Sequence, residues 1–198
     1  MDYINQYIDE MKQITEQIDK TEIKKIVDLI YNVREKKGRI FFIGAGGGAG
    51  NSTHAVNDFR KIAGIESYTP SDNVSELTAR TNDDGWESVF VEYLKTSKLN
   101  KNDMVFVFSV GGGNKEKNIS INIIKALEYA KKINAKICGV VGRDGGYTKK
   151  VADACVVIPP INKNTVTPHT EAYQGVIWHM IVSHPKILTN EMKWESTK

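Results

Sequence analysis

Residues 40–59, IFFIGAGGGAGNSTHAVNDF, predict a buried strand, a glycine-rich turn and a helix in direct succession. The first residues are apolar without alternation, which is typical of a parallel strand that is covered on both faces. Five of the seven residues from 44 to 50 are glycine, more than a tight turn between a strand and a helix requires. Bare backbone N–H groups at the start of a helix bind anions, so the segment predicts a site for a phosphate or a sugar phosphate.

The helix predicted next, residues 51–63, carries His54 and Asp58 four residues apart and therefore on one face. Histidine and aspartate are suitable ligands for zinc or a similar divalent ion. An isolated pair with this spacing is more often a surface ion pair. Its position directly after the glycine-rich turn favours a metal site.

A second glycine-rich turn, in FSVGGGN at residues 108–114, ends another buried strand, which is predicted over residues 103–110. Open α/β sheets bind ligands beyond the carboxyl ends of their strands, so the two turns are expected to line one cleft. Ser109 and Asn114 can add side-chain hydrogen bonds there, although Ser109 alone is equally well explained as a helix cap.

Strands and helices alternate along most of the chain, which predicts an α/β fold with a parallel sheet. Apolar residues at spacings of three and four predict an N-terminal helical hairpin within residues 1–37, and residues 38–198 form the α/β core of the same single domain. The predicted strands are 39–44, 66–70, 103–110, 136–142 and 154–159. The predicted helices are 3–19, 22–36, 51–63, 86–98, 118–133, 147–152 and 168–183.

The composition is that of an ordinary globular protein, with 198 residues and a net charge of +3. No block of lysine and arginine indicates nucleic-acid binding, and the apolar runs are too short to span a membrane. The polar, acidic N-terminus does not resemble a signal peptide. Cys138 and Cys155 lie in apolar, strand-like runs and are expected to be reduced buried thiols of a cytoplasmic protein.

The last predicted helix contains Glu171 and His179, two polar residues among apolar ones. Their separation of eight residues corresponds to about 12 Å along a helix. One metal ion could bind both only if the side chains leaned together or if Glu171 lay in a loosened first turn. His179 is equally compatible with a satisfied core histidine, and His169 and His184 are expected to be surface or capping residues.

A nucleotide cofactor is a weaker interpretation of the first glycine-rich turn. Gly44-x-Gly46-x-x-Ala49 fits the dinucleotide fingerprint, which also requires an acidic residue at the end of the second strand. Glu66 has about the right spacing but lies at the start of its predicted strand. We therefore expect no nucleotide cofactor, and an NAD-dependent enzyme remains an alternative that a binding titration would test.

Together these motifs resemble the SIS (sugar isomerase) domain, and within it the bacterial phosphoheptose isomerase family. The family's GNGGS followed by HxxEE resembles GAGGG and HAVND of this chain, and its GND.G resembles residues 81–85. Its STSGNS falls on residues 109–114, its terminal Q-x7-H on Glu171 and His179, and its GKDGG on residues 142–146. The resemblance covers most of the chain.

The resemblance implies a five-stranded parallel sheet of flavodoxin or Rossmann type, flanked by helices, and conversion of sedoheptulose 7-phosphate to a manno-heptose 7-phosphate. It also implies a homotetramer with active sites at subunit interfaces, and a divalent metal, with zinc the expected ion. The implied metal ligands are His54, Asp58, Glu171 and His179. The implied proton-transfer residues are Asp58 and His179, with Glu171 as an alternative base. The implied substrate-binding residues are Ala45, Gly46, Gly47, Asn82, Asp83, Ser109, Val110, Gly111 and Asn114.

The chain departs from the family at several of these positions. Asp58 replaces a glutamate, Glu171 a glutamine and Ala45 an asparagine. SVGGGN lacks most of the hydroxyl groups that hold phosphate in the family, and the KEKNIS that follows resembles an insertion. Phosphate would then rest on backbone N–H groups, Ser109, Asn114 and either Lys115 or Lys117. The alternative function is a non-catalytic SIS module that binds a sugar phosphate or a partner protein.

Overall fold

The structure, a computed structural model, describes residues 2–197 and has a five-stranded, all-parallel sheet at its centre. The strand order is β2-β1-β3-β4-β5. The strands are β1 (Ile40–Gly44), β2 (Ser67–Tyr68), β3 (Met104–Ser109), β4 (Lys136–Val141) and β5 (Ala154–Val157). The predicted fold class is confirmed. All five residues of β1 are buried, because helices cover both faces of the sheet.

The helices form two layers around the sheet. They are α1 (Tyr3–Gln17), α2 (Lys20–Glu35), α3 (Gly47–Lys61), α4 (Val74–Asp84), α5 (Val89–Thr96), α6 (Ile121–Lys132), α7 (Gly146–Val151), α8 (Val166–Val182) and α9 (Lys193–Ser196). On one face, Phe42 and Phe106 pack with residues of α1, α2, α3 and α8. On the other face, Phe41 and Val105 pack with α5 and α6. The two cores explain why the central strands show no alternation.

One predicted boundary was wrong in a way that matters for the site. Helix α3 begins at Gly47 and not at residue 51, so the glycines after Gly46 form its first turn. Asn82 and Asp83 lie in the last turn of α4, which Asn73 caps by accepting a hydrogen bond from Glu76 N–H.

A buried polar network joins α1 to the start of α8. The carboxylate of Glu10 accepts hydrogen bonds from Gln6, Asn162, Thr165 and His169 at 2.6–2.8 Å. His169 is therefore buried, and its prediction as a surface or capping residue was wrong. The bonds from Asn162, Thr165 and Gln6 lower the pKa of Glu10 from its ordinary value of 4.5 to about 2.

We expect Glu10→Ala to lower the free energy of unfolding by about 3 kcal/mol, because it leaves several buried donors without an acceptor. The native carboxylate has the lower pKa, so its contribution is complete above about pH 4.5 and is lost as the pH falls towards 2. Urea unfolding at pH 7 and at pH 3 measures both effects. A wild-type protein that loses no more stability than Glu10→Ala between these pH values would contradict the second.

Candidate active site

A cavity of about 550 Å³ lies beyond the carboxyl ends of the strands, where both glycine-rich turns meet. Helix α3 begins against the end of β3: a Cβ on Gly48 would lie 2.4 Å from the carbonyl oxygen of Phe108, so only glycine allows this approach. Of the predicted substrate residues, those that line the cavity are Ala45, Ser109, Val110, Gly111 and Asn114.

Glu171 places a carboxylate in this cavity, at the start of α3. A Cβ on Gly47 would lie 2.4 Å from the carboxyl carbon of Glu171, so the carboxylate lies directly against the glycine backbone. Gly47 is the first residue of α3, so the carboxylate lies beside the positive end of the helix dipole, where Gly46 provides no side-chain cap. Asn51 fixes the position of Glu171 by donating to its carbonyl oxygen at 3.1 Å and to Gln174 Oε1 at 3.0 Å.

Ser109 remains available to a ligand. Its Oγ accepts a hydrogen bond from Gly112 N–H at 3.0 Å, which stabilises the loop after β3 and is not a helix cap. The hydroxyl hydrogen is then free to be donated to an anion in the cavity.

A separate group of three potential metal ligands lies where α3 packs on α8. The donor atoms of His54, Asp58 and His179 all lie within 4.8 Å of one another. Oδ2 of Asp58 is 3.8 Å from Nε2 of His54 and 4.0 Å from Nε2 of His179. Two ligands on one tetrahedral zinc ion are about 3.4 Å apart, so small side-chain movements would bring this set onto one ion.

Contacts of both rings with the protein favour metal binding. Nδ1 of His179 donates to the carbonyl oxygen of Gly175 at 2.7 Å, which leaves Nε2 with its lone pair towards Asp58. The ring of His54 packs against Trp178 at a centroid distance of 4.7 Å. Both histidine side chains are about half exposed, 57% for His54 and 52% for His179, so an ion could reach them. The residues present therefore fit a divalent ion.

The structure places Glu171 outside this group, in contrast to the implied set of four ligands. Helix α8 is regular from Val166, so Glu171 does not lie in a loosened first turn, and about 12 Å of helix separates it from His179. Glu171 faces the cavity and His179 faces Asp58.

Comparisons with known proteins show the family of the chain. A model of the SIS domain matches residues 2–142. The phosphoheptose isomerase of Helicobacter pylori (strain ATCC 700392 / 26695) is 30% identical over 142 residues, 69% of this chain and 70% of that protein. The probable phosphoheptose isomerase of Thermoplasma volcanium is 30% identical over 185 residues, 91% of this chain and 89% of that protein.

The chain belongs to the phosphoheptose isomerase family of SIS-domain proteins. The fold agrees as well: the structure of the phosphoheptose isomerase GmhA from Neisseria gonorrhoeae aligns with a TM-score of 0.75. That alignment covers 91% of this chain and 92% of that one, with 20% sequence identity.

The loop that departs from the phosphoheptose isomerase motif folds as a tight hairpin. The backbones of Asn114 and Ile119 exchange two hydrogen bonds of 2.9 Å, and Asn114 Oδ1 accepts from Lys117 N–H at 2.8 Å. Residues 115–120 thus fold beside the cavity, and Lys117 and Ser120 line it. Lys115 does not: it pairs with Glu128 and lies over the ring of Tyr147.

Asn82 and Asp83, which the resemblance implied as substrate-binding residues, do not line the cavity of this chain. Both are exposed, and Asn82 Nδ2 donates to Asp83 Oδ1 at 2.7 Å. Arg143 and Thr167 were not predicted as site residues, yet both line the cavity. The position of Arg143 in the sequence could have identified it, because it follows the end of β4, the strand that pairs with β3.

Proposed function

We propose that this chain interconverts a ketose phosphate and an aldose phosphate, with sedoheptulose 7-phosphate and a manno-heptose 7-phosphate as the pair. Its class, a sugar-phosphate isomerase, follows from the family to which it belongs. The observation that carries the proposal is the carboxylate of Glu171 in a cavity between two glycine-rich turns. A separate group of three potential metal ligands lies on the same two helices, α3 and α8.

The reaction moves a proton between C1 and C2 through an enediol, and it needs a base next to the carbon. Asp58 and Glu171 are the two candidate carboxylates. Glu171 lines the cavity, whereas Asp58 lies between two histidines, so we assign the base to Glu171. The Glu171 carboxylate lies beside the start of α3, where the helix dipole is positive.

We assign the metal site to His54, Asp58 and His179. A divalent ion bound there, with zinc our first candidate, would supply positive charge for the oxygens of the enediolate. The residues of the chain hold this group in place: the Gly175 carbonyl fixes the His179 ring, and Oδ2 of Asp58 lies 3.8 Å from Nε2 of His54 and 4.0 Å from Nε2 of His179. Where Nε2 of His179 does not bind an ion, His179 is instead our candidate acid for proton transfer between the substrate oxygens, because its Nδ1–H is already donated to the Gly175 carbonyl.

The substrate's phosphate would bind at the turns, through backbone N–H groups and the hydroxyl of Ser109. Ala45, Gly46 and Gly47 supply the first turn, and residues 109–114 supply the second. These groups can bind the phosphate of any sugar phosphate and do not select the length of the sugar, which an assay with sedoheptulose 7-phosphate tests.

We further propose that the chain forms homotetramers whose subunits complete one another's sites. Large apolar side chains are exposed on two helices. On α1 they are Tyr3, Ile4, Ile8 and Met11, and on α8 they are Val176 and Met180, on either side of His179 in sequence. In such a tetramer, Asn82 and Asp83 would contact the sugar bound to a second subunit.

The buried, unpaired Cys138 and Cys155 fit a cytoplasmic location. Within residues 2–197, no helix has both the length and the apolar character that a membrane span requires.

The test is an NMR assay of zinc-supplemented protein with sedoheptulose 7-phosphate, in which the product gives a new anomeric proton signal. Lys149→Ala is a control, because Lys149 is exposed on α7 and does not line the cavity. We expect a signal for both proteins. Its absence with folded, metal-loaded protein would contradict the proposed reaction and would favour a module that only binds.

A further inference from the structure

Arg143 lies beside the loop after β3, residues 109–114, whose sequence SVGGGN has a hydroxyl group only at Ser109. It lies two residues beyond β4, whose last residue pairs with Ser109 of β3. The backbones are joined there, because Gly142 N–H donates to the carbonyl oxygen of Val110 at 3.0 Å. A Cβ on Gly111 would lie 4.0 Å from Cδ of Arg143, so the arginine side chain extends alongside the glycines.

The guanidinium of Arg143 has no partner among the side chains and backbone groups that the structure describes. The chain's other four arginines each donate to a carbonyl or a carboxylate oxygen, and they are Arg34, Arg39, Arg60 and Arg80. Asp144, the nearest acidic residue in sequence, instead accepts from Gly146 N–H at 3.1 Å. Arg143 also has a φ of 51°, a conformation that is uncommon outside glycine and is concentrated at functional sites.

The lining of the cavity contains charges of both signs. Lys117, like Arg143, makes no ion pair with a described residue, and both line the cavity. The two carboxylates in the lining are Asp144 and Glu171. Glu171 lies against Gly47, whereas Arg143 lies against Gly111, on a different turn. Arg143 and Lys117 therefore lie in the part of the cavity that is formed near the loop after β3, where Asp144 is the neighbouring carboxylate in sequence and accepts from Gly146 N–H.

We infer that Arg143, assisted by Lys117, forms an anion subsite that binds the phosphate of the sugar phosphate. Residues 111–113 are glycines and offer only backbone donors, and a guanidinium can replace lost hydroxyls with two parallel, charge-assisted hydrogen bonds. This inference rests on the proposed function for the identity of the ligand. It differs from that function in that it concerns binding and not the proton transfer.

The experiment measures the dissociation constants of sedoheptulose 7-phosphate and of inorganic phosphate by calorimetry. For Arg143→Ala we expect both constants to rise by about 10- to 100-fold, the usual effect of losing a charged hydrogen bond. Arg143→Lys should recover part of the affinity, because it keeps the charge but loses the planar fork. Lys117→Ala should have a smaller effect, and Lys149→Ala, outside the cavity, should have none. Wild-type affinity should fall with added salt more steeply than that of Arg143→Ala.

The outcomes separate this inference from the proposed function. Wild-type affinity in Arg143→Ala, or an unchanged salt dependence, would overturn the subsite even if the enzyme isomerises the sugar. A wild-type protein that binds neither ligand would also overturn it. A protein that binds sedoheptulose 7-phosphate through Arg143 but produces no aldose would support the subsite and contradict the proposed reaction.

Discussion

Glu171→Gln should lower kcat for sedoheptulose 7-phosphate by about 10²- to 10⁴-fold, the usual contribution of a positioned base. Glutamine has nearly the same shape as glutamate and can occupy the same place against Gly47, but it cannot accept a proton from carbon. The fold should be unchanged because Asn51 contacts the backbone of Glu171 and not its carboxylate. Zinc content should also be unchanged, since Glu171 lies outside the group of three donor residues.

The matched variant is Asp58→Asn, which changes the other candidate carboxylate in the same way. We expect this variant to lose zinc as well as activity, because its oxygen lies 3.8 and 4.0 Å from the two histidine nitrogens. Metal analysis of both proteins, together with kcat, separates the roles of base and ligand. If Glu171→Gln kept wild-type kcat, or lost its zinc, the base would have to be reassigned to Asp58.

The sheet and its cleft could be predicted because they depend on local patterns. Uninterrupted apolar runs such as MVFVFS at Met104–Ser109 indicate strands that are covered on both faces. Glycines at the ends of two strands then indicate where the chain comes close to a ligand or to itself. Parallel topology brings those ends to one edge, so the meeting of residues 44–50 and 109–114 follows from the order of the elements.

The polar residues were harder to place, because their partners are distant in sequence. His169 is buried only because Glu10 and Tyr7 of α1 pack on it, and nothing near His169 indicates this. The polar run that contains Asn82 and Asp83 suits a turn or a helix end equally well. These residues are helical because of contacts earlier in α4, where Asn73 caps the helix and Glu76 pairs with Arg80 at 2.8 Å.

The division of the implied metal site illustrates the same limit. The sequence placed Glu171 and His179 eight residues apart on one helix, but it could not show which neighbouring helix or turn each side chain would contact. The close approach of Gly47 leaves room for the Glu171 carboxylate at the start of α3, whereas Gly175 O turns the His179 ring towards Asp58. Contacts from two different elements thus turn Glu171, the proposed base, and His179, a proposed ligand, towards different surroundings.

His179→Ala should weaken zinc binding by at least about 100-fold and reduce turnover to background, since it removes one of three donor residues. The ring is half exposed, and its hydrogen bond to Gly175 is local to α8, so we expect the fold to persist. His184→Ala is the matched control: it removes a histidine just beyond the same helix that lies outside the metal group. Competition with a zinc-binding dye measures affinity, and the NMR assay measures turnover.

The combination of the two readouts decides what the group of three residues does. Loss of zinc and of turnover together, with His184→Ala unchanged in both, would mean that the exposed cluster between α3 and α8 serves the reaction. Zinc bound as tightly as in the wild type would contradict the ligand role of His179, and any loss of turnover would then reflect its role as an acid. Loss of zinc with full turnover would contradict a role for the metal, and Glu171, with the positive end of α3 beside it, would have to accomplish the proton transfer alone.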